Sequence, residues 1–359
     1  MQKKLIALAI AGLASTGALA QTNVTIYGIA DAAYVNASGE GTTGRSTDFS
    51  GIQGGLLSGS RLGFKGSEDL GGGLSAVFVL EYALNNDINA GVGSGGALAA
   101  RQQYVALNST SWGQLGLGRQ YAAGFGAAAT NAQTAGLFDI QSILSVNAGM
   151  SITPNSAARI SDSVNWISPK WGGFSVNAIY GFGEATAEGT STSDSTFMGI
   201  GANYSNGPLN VDLVYHDRSN VGGVNNADID EWYLGGKYNF GVATVFGTWQ
   251  TMDIDATNVD VDVWTIGAFM PVFKSGTIGL TYGDQDVSGA GSNTDAKAWN
   301  LTYTHSLSKR TTMYAGYTDV SNDKGGFKNR VGGLSVNLAG GTGLSQDNSA
   351  FFAGMRHSF

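Results

Sequence analysis

Leu74-Ser75-Ala76-Val77-Phe78-Val79-Leu80-Glu81-Tyr82-Ala83-Leu84 sends Leu74, Ala76, Phe78, Leu80, Tyr82 and Leu84 to one face of an extended chain, and Ser75 and Glu81 to the other. A period of two marks a strand whose faces meet different media. The pattern recurs. Phe174, Val176, Ala178, Tyr180 and Phe182 oppose Ser175, Asn177 and Gly181. Leu209, Val211, Leu213 and Tyr215 oppose Asn210, Asp212, His216 and Arg218. Trp232, Leu234, Tyr238 and Phe240 oppose Tyr233, Lys237 and Asn239, and Trp299, Leu301 and Tyr303 oppose Asn300, Thr302 and Thr304.

Sixteen such segments are read, near 24–35, 60–67, 73–84, 101–108, 113–121, 159–168, 173–183, 196–204, 208–218, 230–240, 242–252, 260–271, 276–286, 295–306, 310–320 and 349–359. Seven short joins alternate with eight longer connections, among them 36–59, 85–100, 122–158 and 321–348. Ten residues at ~3.3 Å each, tilted by ~45°, cover roughly 23 Å, close to the apolar band of a transmembrane barrel. A soluble β-sandwich also alternates. Here, however, Trp112, Trp171, Tyr204, Tyr238, Phe240 and Trp249 gather near strand ends, where a membrane interface places aromatics. The fold expected is all-β: a sixteen-stranded antiparallel transmembrane barrel.

Composition agrees. Charged residues are 13% of the 359, about half the ordinary share, and glycine, at 55, is about twice as frequent as usual. Mean hydropathy is −0.02. A chain that polar lives in a bilayer only if alternate residues are hidden from lipid. There is no cysteine, hence no disulfide framework or thiol chemistry. Lys3 and Lys4, the apolar run Leu5 to Leu13 and Ala18-Leu19-Ala20 read as a secretory signal over 1–20, leaving 21–359 as the barrel. Its apolar run is shorter than the roughly 18 residues a membrane anchor needs. Losing those two lysines takes the formal charge from −8 to −10. No nucleic-acid partner is expected.

Enzymatic chemistry has little to work with. Only His216, His305 and His357 offer imidazoles, and neither G-x-S-x-G nor H-E-x-x-H is present. No enzyme activity and no cofactor are expected. The outer acids Asp228, Asp230, Glu231, Asp253, Asp255, Asp260, Asp262, Asp284 and Asp286 suit plain solvation, with divalent cations bridging lipopolysaccharide as the alternative use.

Val24-Thr25-Ile26-Tyr27-Gly28, Ser60-Arg61-Leu62-Gly63-Phe64-Lys65-Gly66-Ser67-Glu68-Asp69-Leu70-Gly71, Leu115-Gly116-Leu117-Gly118-Arg119-Gln120 and Gly354-Met355-Arg356-His357-Ser358-Phe359 resemble the trimeric general porins of Gram-negative outer membranes, the beta-proteobacterial and neisserial branch most closely. The resemblance implies a homotrimer of water-filled channels among outer-membrane lipids and lipopolysaccharide. It implies passive diffusion of small hydrophilic solutes and ions, and a third long loop folded inward. It also implies that Phe359 is a signal read by the outer-membrane assembly machinery. Trimer contacts would use the outer faces of the first and last strands, with loop 85–100 as a latch to the neighbour.

The inward loop corresponds to 122–158, rich in alanine and glycine, with Asp139 as its one charged residue. An arginine facing lipid near midplane costs roughly 2–4 kcal/mol. Arg61 and Lys65, opposite Leu62 and Phe64, and Arg159, opposite Ile160, Val164 and Trp166, should therefore face the lumen. By resemblance, Arg61, Arg101 and Arg159 form a basic cluster across from the inward loop, and Arg119 lies near that loop. Strand parity instead groups Arg119 with Leu115 and Leu117, and Arg101 is equally ambiguous. Glu81, Asp212, His216 and Lys237 are expected on the lumen face. With Asp139 as the loop's lone acid, the narrowest point should be electropositive and favour small anions. The bulk negative charge argues the other way, although the outer acids lie beyond about one Debye length. The alternative is a channel specific for a small organic anion or sugar.

Overall fold

The computed structural model describes residues 23–41, 46–87, 99–132, 138–146, 148–154, 156–183, 195–221, 227–289, 295–323 and 345–359. The expected signal segment 1–20 and most of loop 85–100 lie outside them.

Among the described residues the strands are β1 (Asn23–Gly41), β2 (Ser46–Gly54), β3 (Arg61–Gly71), β4 (Leu74–Ala83), β5 (Ala100–Ser109), β6 (Gly113–Tyr121), β7 (Arg159–Ile167), β8 (Phe174–Gly181), β9 (Phe197–Asn206), β10 (Leu209–Arg218), β11 (Ile229–Asn239), β12 (Thr244–Ile254), β13 (Val259–Val272), β14 (Gly276–Ser288), β15 (Ala296–Ser306), β16 (Thr311–Asn322) and β17 (Ser345–Ser358). Each pairs antiparallel with its neighbours, and β1 closes the ring on β17, from Ile29 opposite Ser358 to Gly41 opposite Ser345. Closure satisfies the ladders without leaving an edge, which a bilayer requires.

Seventeen strands make sixteen staves because β2 and β3 are one stave interrupted. The lower half of β1 pairs with β3 (Ile29 opposite Arg61) and the upper half with β2 (Ala32 opposite Gly54). The segment 36–59, expected to be an outer loop, is instead mostly wall. Its alternation is faint because Ser46–Gly54 carries just two bulky apolar residues. Phe49 packs inward and Ile52 faces out, 57% exposed. Residues 55–60 leave the ladder and turn into the barrel, with Leu56 fully buried.

The outer face carries the apolar half of each alternation: Val105, Leu117, Leu213 and Leu234 are exposed there. Aromatic pairs form two belts. Near the short turns, the tilted rings of Phe174 and Tyr204 lie 4.5 Å apart and those of Tyr238 and Phe240 4.6 Å. Toward the other rim lie Tyr215 with Trp232, Trp264 with Tyr282, and Trp299 with Tyr317. Phe359 ends the last strand by exchanging backbone hydrogen bonds of 3.1 Å with Gly28. A Cβ at Gly28 would lie 2.3 Å from the Phe359 ring, so only glycine admits the ring there.

Candidate functional site

Residues between β6 and β7 fold into the barrel as two short helices, α1 (Ala123–Thr130) and α2 (Ile140–Val146). Ile140, Ile143 and Leu144 of α2 pack on Val261, Val263, Val287, Ala296 and Ala298 of β13, β14 and β15. Gly283 permits this approach, because a Cβ there would meet Ile140 at 2.7 Å. Phe138 stacks on Phe352 of β17 at 3.8 Å. Asn300 Nδ2 donates to the Phe138 carbonyl at 2.7 Å, and Gln285 Nε2 donates to that of Leu144.

Polar groups pin both ends of the loop. Gly124 N–H donates to His216 Nε2 at 3.3 Å, so the imidazole proton sits on Nδ1 and is donated to Ser151 Oγ at 2.9 Å. Ser151 Oγ passes its own hydrogen to Glu231 at 2.8 Å. Glu231 also accepts the Ser151 and Ile152 N–H groups and the Arg218 guanidinium. Asp212 accepts from Asn131 at 2.7 Å, and Lys237 Nζ donates to the Thr130 carbonyl at 2.7 Å. Gln141 bridges the Ile152 carbonyl and Gln250.

This arrangement corrects several expectations. Asp212, His216 and Lys237 are on the inner face and moor the loop; it roofs Asp212 and His216, which are buried, while Lys237 stays partly exposed. Glu231, grouped with the outer acids, is completely buried beneath the loop. Its parity with Tyr233 and Lys237 carried that information. Asp139 does not face the channel. It is buried, and its carboxylate caps α2 by accepting the Ser142 N–H at 2.9 Å. Burial pushes its carboxyl up to about 7. The loop's one acid is thus withdrawn from the water path.

Roughly half a turn of the barrel away stands the basic side. Glu81 on β4 is buried at its centre. Arg101 Nε donates to it at 2.7 Å, Arg61 Nη1 lies 3.7 Å away, and the Tyr27 hydroxyl donates to its second oxygen at 3.1 Å. Arg101 Nη2 donates to the Tyr121 hydroxyl at 2.9 Å, and the Arg159 guanidinium lies 5.5 Å from the Tyr121 ring centre. Tyr121 also stacks on Phe125 of α1 at 3.7 Å, which joins the basic wall to the loop. Lys65, exposed, sits over the Tyr27 ring at 5.3 Å.

Parity failed where the ladders bulge. Register shifts between Glu81 and Tyr82 leave Arg101 as an extra residue, free to turn toward Glu81. A second shift, between Gly118 and Gln120, sets two residues of β7, Ser161 and Asp162, against the single Arg119 of β6, so the extra residue lies on β7. Opposite it, Asp162 has φ 46°, and Ile160 pairs with Gln120 and packs inward, contrary to the alternation expected of β7. Arg119 keeps the outward parity. It donates to the carbonyls of Ala100 at 3.2 Å and Arg159 at 3.1 Å and to Ser161 Oγ at 2.7 Å, all groups of the wall itself. The expectation that it lines the constriction gives way to a bracing role beside two bulges. Tyr27, Tyr121, Glu231 and Gln250 were not singled out from sequence as parts of the site, because their roles depend on which stave the loop crosses.

At the outer rim Asp253 stands opposite Asp260 and Asp262 opposite Asp286, while Asp284 meets Lys297 at 3.6 Å. Among the described residues, no group of three or more His, Cys, Asp or Glu side chains is arranged to hold a metal ion.

The chain matches the family described as Gram-negative porin over residues 7–325. It is 32% identical over 384 residues to outer membrane porin protein 32 of Delftia acidovorans, covering 100% of both chains. It is 29% identical to an outer membrane porin protein of Bordetella pertussis, over 88% of this chain and 93% of that one. Its structure resembles an anion-selective porin from Comamonas acidovorans with a TM-score of 0.79 at 28% identity, covering 94% of this chain and 100% of the other.

Proposed function

The chain belongs to the family of Gram-negative porins of the outer membrane, and from that premise we propose that it is a general diffusion channel whose constriction favours small anions. One observation carries the anion preference: among the described residues the guanidinia of Arg61 and Arg101 share one acid, Glu81, Arg159 lies against the Tyr121 ring beside them, and Asp139 is buried as a helix cap. Low-dielectric walls focus that excess positive charge onto the water path. Solutes move down their gradients, sieved by the inward loop and biased by the arginine side, and the protein supplies no bond chemistry. Lys65 adds a further cation on the same face. The name of the anion-selective Comamonas relative points the same way.

The working unit is a homotrimer, joined through the apolar outer faces of the first and last staves and surrounded by outer-membrane lipid and lipopolysaccharide. Residues 1–20 direct export. Phe359, half-exposed beside Phe351 and Met355 on the outer face, is the residue the assembly machinery reads.

Liposome swelling tests general diffusion. Uptake of neutral sugars should fall smoothly with size, and a small organic anion should enter faster than a cation of equal size. Saturable uptake of one solute, with its near neighbours excluded, would replace this reading with a solute-specific channel.

A further inference from the structure

We propose that Arg356, on the last strand, is a fourth arginine of the anion path, presented to the lumen by the inward turn at 55–60. This rests on the anion-preferring reading above and adds a residue to it. Asp31 of β1 is fully buried and holds the turn. Its carboxylate accepts the N–H groups of Leu57 at 3.0 Å and Ser58 at 2.7 Å and the Tyr314 hydroxyl. Its backbone exchanges hydrogen bonds with Ser60 Oγ and accepts from Asn86 Nδ2.

The turn so fixed faces three guanidinia. Ser58 Oγ accepts from Arg356 Nε at 2.7 Å, and the Gly59 carbonyl accepts from Arg61 Nε at 2.9 Å. A Cβ at Gly59 would lie 3.0 Å from Arg101 Nη1, so the bare backbone leaves Arg101 room. Arg356 stands opposite Asp31 in the ladder, on the parity of Ala350 and Phe352, whose side chains are buried inside the barrel. It is a like charge beside Arg61. Asp31, the nearest acid in register, gives its oxygens to Leu57, Ser58 and Tyr314 and acts on Arg356 through its charge alone, without a hydrogen bond. Among the described residues Arg356 forms no ion pair, and its two Nη groups donate to no protein atom. They are available to a passing chloride or carboxylate.

The native chain has no cysteine, so Arg356→Cys places a single thiol in each protomer of the assembled trimer. Methanethiosulfonate reagents of opposite charge are then applied during planar-bilayer recording under a KCl gradient. The anionic reagent should lower the chloride-to-potassium permeability ratio about twofold, and the cationic reagent should restore it, as expected of one unit charge in a wet pore. No shift with either reagent overturns the proposal. If Arg356→Cys yields no trimer, Ser58→Cys reads the same spot without altering the last strand, and insensitivity to both reagents there overturns it equally. A wild-type channel that favours potassium would defeat the anion reading alone, because a reagent-dependent shift would still place residue 356 on the ion path.

Discussion

Glu81 and Arg101 form an ion pair at 2.7 Å, both buried within the wall. Among the described residues Glu81 is the one acid paired with Arg61 and Arg101, and it therefore sets how much of their charge a passing ion feels. Glu81→Gln keeps much of the hydrogen bonding and removes the negative charge. One unit charge roughly 8 Å from an ion in a water-like medium is worth about 0.5 kcal/mol, a factor of about two. The chloride-to-potassium permeability ratio should rise by that factor in a reversal-potential measurement. Glu81→Ala should also lower thermal stability, because it leaves a buried guanidinium without its counter-charge.

Arg119 makes the opposite prediction. Its guanidinium binds the wall at Ala100, Arg159 and Ser161. Arg119→Gln should leave ion selectivity within experimental scatter and lower the temperature at which the trimer dissociates on a gel. A loss of anion preference as large as that of Arg61→Gln would return Arg119 to the pore.

Glu231 holds the returning arm of the inward loop through the N–H groups of Ser151 and Ile152. Stranding such buried donors costs about 1–3 kcal/mol. Glu231→Ala should loosen the loop without unfolding the barrel. Open-channel current noise should rise and the size cutoff for neutral sugars should increase. Glu231→Gln should fall between, since its amide retains one accepting oxygen.

Asp139 gives the loop a pH dependence of known sign. Burial raises its carboxyl to about 7, so the ionised form is the disfavoured one in the docked loop. The stability gained by docking is fully present below the ordinary carboxylate range. It is lost as pH rises toward about 7, at no more than about 1.4 kcal/mol per unit, and is flat beyond. Protease sensitivity of the loop should therefore increase between about pH 5 and about 7 in the wild type. In Asp139→Asn it should stay at the acid level throughout.

The barrel was legible because its rule is local. Alternation in Leu74–Leu84 or Phe174–Phe182 needs no knowledge of the neighbouring strands, and those staves appear where the pattern puts them. The hairpin of β1 and β2 escaped because Ser46–Gly54 is too polar and too small to alternate visibly. Arg101 on β5 and the inward-packed Ile160 on β7 escaped for a different reason. A bulge adds one residue and reverses parity, and the added residue is fixed by the partner strand's register, which no single stretch encodes. Asp139 reads as a channel acid in the sequence because a lone charge in an apolar loop looks functional. Its capping role depends on α2, whose Ile140-Gln141-Ser142-Ile143-Leu144 carries a weak helical signal until it meets Gly283 and Val263 on the far wall.

The central claim is that Arg61, Arg101 and Arg159 make the constriction anion-preferring. It is tested most directly by the reversal potential in a planar bilayer under a KCl gradient, comparing the wild type with the triple variant Arg61→Gln, Arg101→Gln, Arg159→Gln. The account predicts three-step conductance favouring chloride in the wild type and loss or inversion of that preference in the variant, with the steps retained. A wild-type channel favouring potassium, or a variant as chloride-preferring as the wild type, would contradict it.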